Sequence, residues 1–216
     1  MTEAVVGIFV GIFIHRTGRY LELLYVGGLL MVLGNGLYIL FSASTPLSQI
    51  IGFQILAGVG LGLLFEAPLI AIQAGVSQAD TATATSTLMF TRNLSTALSV
   101  VICGVIFQNS MDVRTATLSS PPLSLPANIT DLLTGGRAGA NVMLIEKFSD
   151  PVQRQAVKNA YVWSMRNVWI FTTGVATLAA VAAVFIKKEV LSKVHVETVT
   201  GLKRETELVD REARVM

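Results

Sequence analysis

Residues 47–74 read LSQIIGFQILAGVGLGLLFEAPLIAIQA, and this stretch decides the fold class. It carries one charge, Glu66, and it is longer than the roughly 20 apolar residues that a helix needs to cross a hydrocarbon core of about 30 Å. Working outward, Leu21–Phe41 and Ala82–Phe107 reach the same length, and Val168–Ile186 is a nearly pure apolar run. Between Leu21 and Phe107 the charged residues are Glu22, Glu66, Asp80 and Arg92 and no others. The whole chain of 216 residues is 52% hydrophobic and 14% charged, with 18 glycines. An ordinary globular protein carries about 25% charge. The mean hydropathy is +0.64. So little polarity cannot cover an aqueous surface, which excludes a disordered chain, a nucleic-acid binder and a conventional soluble enzyme. The net charge of +2 is too small to imply an anionic partner, and the single cysteine, Cys103, supports no disulfide framework.

The expected architecture is all-α: a polytopic bundle of four full transmembrane helices (21–41, 47–74, 82–107 and 168–186) and one partial helix at 4–14. The last run is too short to span. It lacks a preceding basic residue and a cleavage site of small residues, so it reads as the end of a helix whose beginning is missing. The connections are a basic turn at 15–20, an uncharged turn at 42–46, a short loop at 75–81 and a long polar loop over 111–158. A charged tail follows at 187–216. Arg16 and Arg19 against the uncharged 42–46 turn place 15–20, 75–81 and the tail in the cytoplasm and the long loop outside. The sequon Asn128-Ile129-Thr130 agrees with that side, and Asn128 is a glycosylation candidate. A second sequon, Asn93-Leu94-Ser95, lies inside a span. Asp150-Pro151 reads as an N-cap followed by proline at the first helical position. The segment 159–186 then forms an interfacial approach and the last helix. Its Lys158, Tyr161, Trp163, Arg166 and Trp169 read as anchors at the membrane surface.

Few residues carry chemistry. Gly58 and Gly62 lie four apart on one helical face, where small residues admit a neighbouring helix, and Gly60 and Pro68 belong to the same packing segment. No Gly-Lys-Ser/Thr follows these glycines, so no phosphate loop is read and no cofactor is expected. His15 and His195 have no metal-binding or nucleophilic constellation around them, and no enzyme is read. Glu66 lies nine residues before Gly75 and Arg92 about ten after Ala82. At 1.5 Å per residue both sit roughly 13–15 Å from the same membrane face. Charges inside a span usually face a cavity or each other. Glu66 is the one carboxylate well inside a span, where a neighbouring charge or desolvation can move its affinity for a proton. Glu66 and Arg92 are therefore the candidates for coupling or gating, with an ion pair between them as one arrangement; the alternatives are that Arg92 snorkels to lipid phosphate and that Glu66 lines a wet cytoplasmic vestibule.

The turn Gly11-Ile12-Phe13-Ile14-His15-Arg16-Thr17-Gly18-Arg19 resembles the cytoplasmic signature of the major facilitator superfamily, with His15 where that signature has aspartate. Gly58 to Ala74, Thr83-Ala84-Thr85 and Phe90-Thr91-Arg92-Asn93-Leu94 resemble late helices of the fungal fourteen-helix drug:proton antiporters. The resemblance covers most of 4–110 and the final span. It implies the carboxyl-terminal part of an efflux pump in the plasma membrane, exporting small molecules such as drugs or secondary metabolites against protons. Its partners would be the lipid bilayer, a small-molecule substrate, protons, and the missing N-terminal half or another membrane protein. Such a piece is not expected to transport alone. The alternative is an accessory or regulatory membrane protein without transport activity.

Overall fold

The computed structural model describes residues 2–186, with the side chains of 5–14 and 16–186. His195 and the tail 187–216 lie outside the described residues. The described chain is helical, with no strand in it. Helices α1 (Thr2–Thr17), α2 (Tyr20–Tyr38), α3 (Leu47–Gly75), α4 (Thr81–Leu118) and α7 (Pro151–Val184) form the bundle. Two short helices, α5 (Ala127–Leu132) and α6 (Arg137–Ala140), and a 3-10 turn (Val142–Lys147) lie between α4 and α7. The helices α2, α3, α4 and α7 are each long and apolar enough to cross a membrane. In lipid, backbone polar groups must be satisfied within the segment, so helices are the form these runs take.

The stretch read as a loop over 111–158 is helical at both ends. At 1.5 Å per residue, the 38 residues of α4 extend about 57 Å, nearly twice a hydrocarbon core of about 30 Å. Gln108, Asn109, Asp112 and Arg114 make the end of α4 polar. The helix α7 starts where the Asp150 side chain accepts a hydrogen bond from the Val152 amide at 2.9 Å, with Pro151 beside it. Asn167 donates to Ser110 Oγ at 3.0 Å and fixes the two helices at one level. Beyond that level the two extensions and the segment 119–150 form a cap.

The cap has its own core. Met111, Leu118, Leu125, Leu133, Ala138, Val157, Ala160 and Tyr161 are buried together, with Phe107, Ile129, Ile145 and Phe148 packed around them. Polar contacts close the chain over it. Tyr161 donates to the Ala138 carbonyl at 2.7 Å. Arg154 donates to the Phe148 carbonyl at 2.6 Å, the Gly135 amide donates to Asp112, and Arg137 pairs with Asp131.

In the spans, α3 lies centrally, against α1 on one side and α2 on the other, while α2 also packs on α7. The α2–α3 contact runs on small residues. A Cβ on Gly60 would stand 2.8 Å from the Met31 amide nitrogen, and one on Gly34 would stand 2.7 Å from the Ala57 Cα. The two backbones meet there, so no larger residue fits. Gly62 is buried and Gly58 half-buried. Gly60, which belongs to the same packing segment as Gly58 and Gly62, is thus one of the positions where α3 meets the α2 backbone. Along α4, by contrast, Phe90, Leu94, Leu98, Val101 and Val105 are exposed.

Candidate functional site

The signature turn is built on Gly18. Its φ of 68° lies in the left-handed region, and its amide donates to the Ile14 carbonyl at 2.7 Å, which ends α1. Thr17 donates to the Phe13 carbonyl at 2.7 Å and accepts from the Arg19 amide at 3.3 Å. Arg19 then stands 3.7 Å from Glu22, an exposed pair. Exposed Arg16 completes the cationic end of the turn, and Gly11 has open space beside it. The backbone of His15 is helical, and its side chain lies outside the described residues.

Glu66 and Arg92 occupy one level, since the neighbouring contact between Gln73 and Thr85, at 3.2 Å, fixes the register of α3 against α4. They do not form an ion pair. The ion pairs among the described residues are Arg19–Glu22 and Arg137–Asp131. Arg92 Nη2 donates to the Phe65 carbonyl at 2.9 Å, and its guanidinium lies 4.2 Å from the centre of the Phe65 ring. Its Nη1 is buried without a hydrogen-bond partner among the described residues. Successive residues on a helix point about 100° apart, so the side of α3 that offers Phe65 to α4 turns Glu66 elsewhere. Glu66 faces α1, where a Cβ on Gly7 would lie 3.9 Å from its Cγ and Oε1. It is half-buried there. The pairing suggested by depth is therefore corrected: the same depth carries two different faces.

Pro68 stands two residues beyond Glu66 inside α3. It has no N–H to give to the Leu64 carbonyl. The Arg92 contact at Phe65 braces the helix beside this interruption. Pro68 also borders a cleft of about 730 Å3 between α2, α3, α4 and α7. Leu24, Gly28, Leu64, Phe171, Val175 and the alanines of α7 line it, while Asn35, Ser99 and Thr172 supply its polar groups. A mostly apolar cavity of this size with a few polar groups suits a small amphipathic molecule. Sequence reasoning missed Asn35, Ser99 and Thr172, because nothing in their local spacing sets them apart from other small polar residues in the spans.

A chain with these features has close counterparts among curated proteins. It is 39% identical over 195 residues to the MFS-type transporter ppz2 of Metarhizium majus, an alignment covering 90% of this chain and 33% of that protein. It is 38% identical over 202 residues to an MFS-type transporter of Aspergillus terreus, covering 94% and 36%. It is 37% identical over 193 residues to the efflux pump dotC of Dothistroma septosporum, covering 89% and 32%. Over most of its own length the chain is thus similar to part of these major facilitator superfamily proteins. It spans about a third of the length of these relatives. No family model matches it, and no solved structure matches it.

With this similarity and four helices fit to span, it is a multi-pass membrane protein. Its remaining candidate, Asn128, is exposed on α5 in the cap, with Thr130 donating to the Pro126 carbonyl at 2.9 Å. No group of three or more His, Cys, Asp or Glu suited to a metal ion occurs among the described residues.

Proposed function

We propose that this chain forms part of a proton-coupled exporter of small amphipathic molecules in the plasma membrane, completed by the remaining helices of a full-length transporter. The observation that carries the reading is the four-helix cavity of about 730 Å3, apolar apart from Asn35, Ser99 and Thr172. The export direction draws support from the similar protein in Dothistroma septosporum, whose name is efflux pump dotC. Glu66 is the proposed proton carrier. It is a half-buried carboxylate inside a span, and its neighbour Gly7 leaves room for it to move against α1. Arg92 is the proposed gating contact, because it joins α4 to α3 beside Pro68 through one carbonyl and one ring. The cap is proposed to face outward with Asn128 glycosylated, and 187–216 to lie in the cytoplasm. The bias of Arg16 and Arg19 in the signature turn supports that orientation.

The test is a full-length transporter in which this chain replaces the aligned third of its Metarhizium majus relative, reconstituted in proteoliposomes with an imposed pH gradient. Glu66→Gln keeps the side-chain shape and removes the titratable proton. Gradient-driven efflux is expected to lose its pH dependence while substrate binding is retained. Export by Glu66→Gln at the parental rate, with the parental pH dependence, would place the proton carrier elsewhere.

A further inference from the structure

A second cavity, of about 550 Å3, lies between the spans and the cap. Its walls are aromatic. Tyr38 stacks on Phe41 at 5.3 Å and meets Trp169 at 4.7 Å, and Phe107 meets Tyr161 at 6.1 Å on another side. Gly139 and Val142 of the cap line it on another side. No acidic or basic side chain lines it. The Tyr161 hydroxyl is already donated to the Ala138 carbonyl.

We propose that this cavity is a vestibular binding site for neutral, planar aromatic molecules. Residues that merely anchor a protein at the membrane surface project singly toward the headgroups. These rings instead converge from three helices, α2, α4 and α7, and from Phe41, three residues beyond α2, beside Gly139 and Val142 of the cap. Aromatic faces and edges favour an offset or edge-on aromatic guest, and each such contact adds to simple burial. A cation would also be drawn to the ring faces, but it would be desolvated without a carboxylate to answer its charge. The site is one helical turn beyond the four-helix cavity, since Tyr38 follows Asn35 on α2 and Trp169 precedes Thr172 on α7. A place on an exit path rests on the export reading; the binding site itself does not.

The chain holds two tryptophans, so Trp163→Phe leaves Trp169 as the sole indole. In nanodiscs, the emission of this variant is titrated with 1-nitronaphthalene, a neutral planar contact quencher, with nitrocyclohexane and N-methylquinolinium as comparison probes. Saturable quenching by 1-nitronaphthalene is expected, at least about tenfold tighter than by either comparison. Gly139→Leu is expected to abolish the saturable phase. No atom lies within 4 Å of a Cβ at Gly139, so the added side chain at this lining position meets no clash. Should that variant fold poorly, Tyr38→Leu removes one wall and is expected to weaken binding by about tenfold. Linear quenching in every variant would overturn the site and leave the rings as surface anchors. Tighter saturation by N-methylquinolinium, or by nitrocyclohexane, would overturn the ligand class. Saturable binding without efflux in the full-length chimera would count against the export reading and leave the vestibule standing.

Discussion

The cap and the spans obey different rules of assembly. In the cap, Met111, Leu133, Ala138 and Val157 are wholly buried. In the spans, Phe90 is 69% exposed and Leu178 72%. A core closed in this way is what the removal of apolar surface from water builds. The cap finishes it with side chains from α4, the connecting segment and α7. The spans stand in lipid, which is as apolar as leucine, so burying leucine gains little. Their cohesion comes from close backbone approach at Gly34 and Gly60, and from a few polar contacts such as Arg92 to the Phe65 carbonyl. One chain thus uses large residues in the cap core and small ones between the spans.

That contrast can be broken at three points. The largest effect is expected from Leu133→Ala in the cap, which leaves a void in a closed core and costs about 2–5 kcal/mol. Limited proteolysis of 119–150 should then become much faster while the spans keep their helical signal. If protease sensitivity stays parental, the cap is not held by that core. Gly60→Leu should come next, at about 1–3 kcal/mol, because the new side chain meets the Met31 backbone and must push α2 away. The readout is the yield of folded protein and its unfolding midpoint in a denaturing detergent; a parental midpoint would refute the α2–α3 contact. Leu98→Ala, on the exposed stripe of α4, should change stability by no more than about 0.5 kcal/mol. A loss as large as that of Leu133→Ala would mean that this stripe is packed against another helix and not against lipid.

Legibility followed the same divide. The apolar runs announced the spans, and Asp150-Pro151 announced the start of α7, since a cap residue and a proline act locally. The cap core left no such trace. Leu118, Leu125 and Leu133 are scattered among prolines and glycines with no helical or strand period, and what unites them is the antiparallel return of α7 beside α4. Glu66 and Arg92 illustrate the limit within a span. Counting residues fixed their depth, but one step along a helix turns a side chain by about 100°, so the count could not say which faces met.

By itself the sequence determined an all-helical membrane protein and the number of its long spans. Lipid leaves an apolar run of about 20 residues no other way to satisfy its backbone, so length and composition are enough. The tertiary structure alone decided that Arg92 braces α3 at Phe65 while Glu66 looks toward α1, and that polar-looking residues 119–150 close over a core. It also decided that Tyr38, Phe107, Tyr161 and Trp169 share one cavity. These are contacts between residues far apart in the chain, set by the rotation of each helix about its axis, and rotation is fixed only when the helices pack.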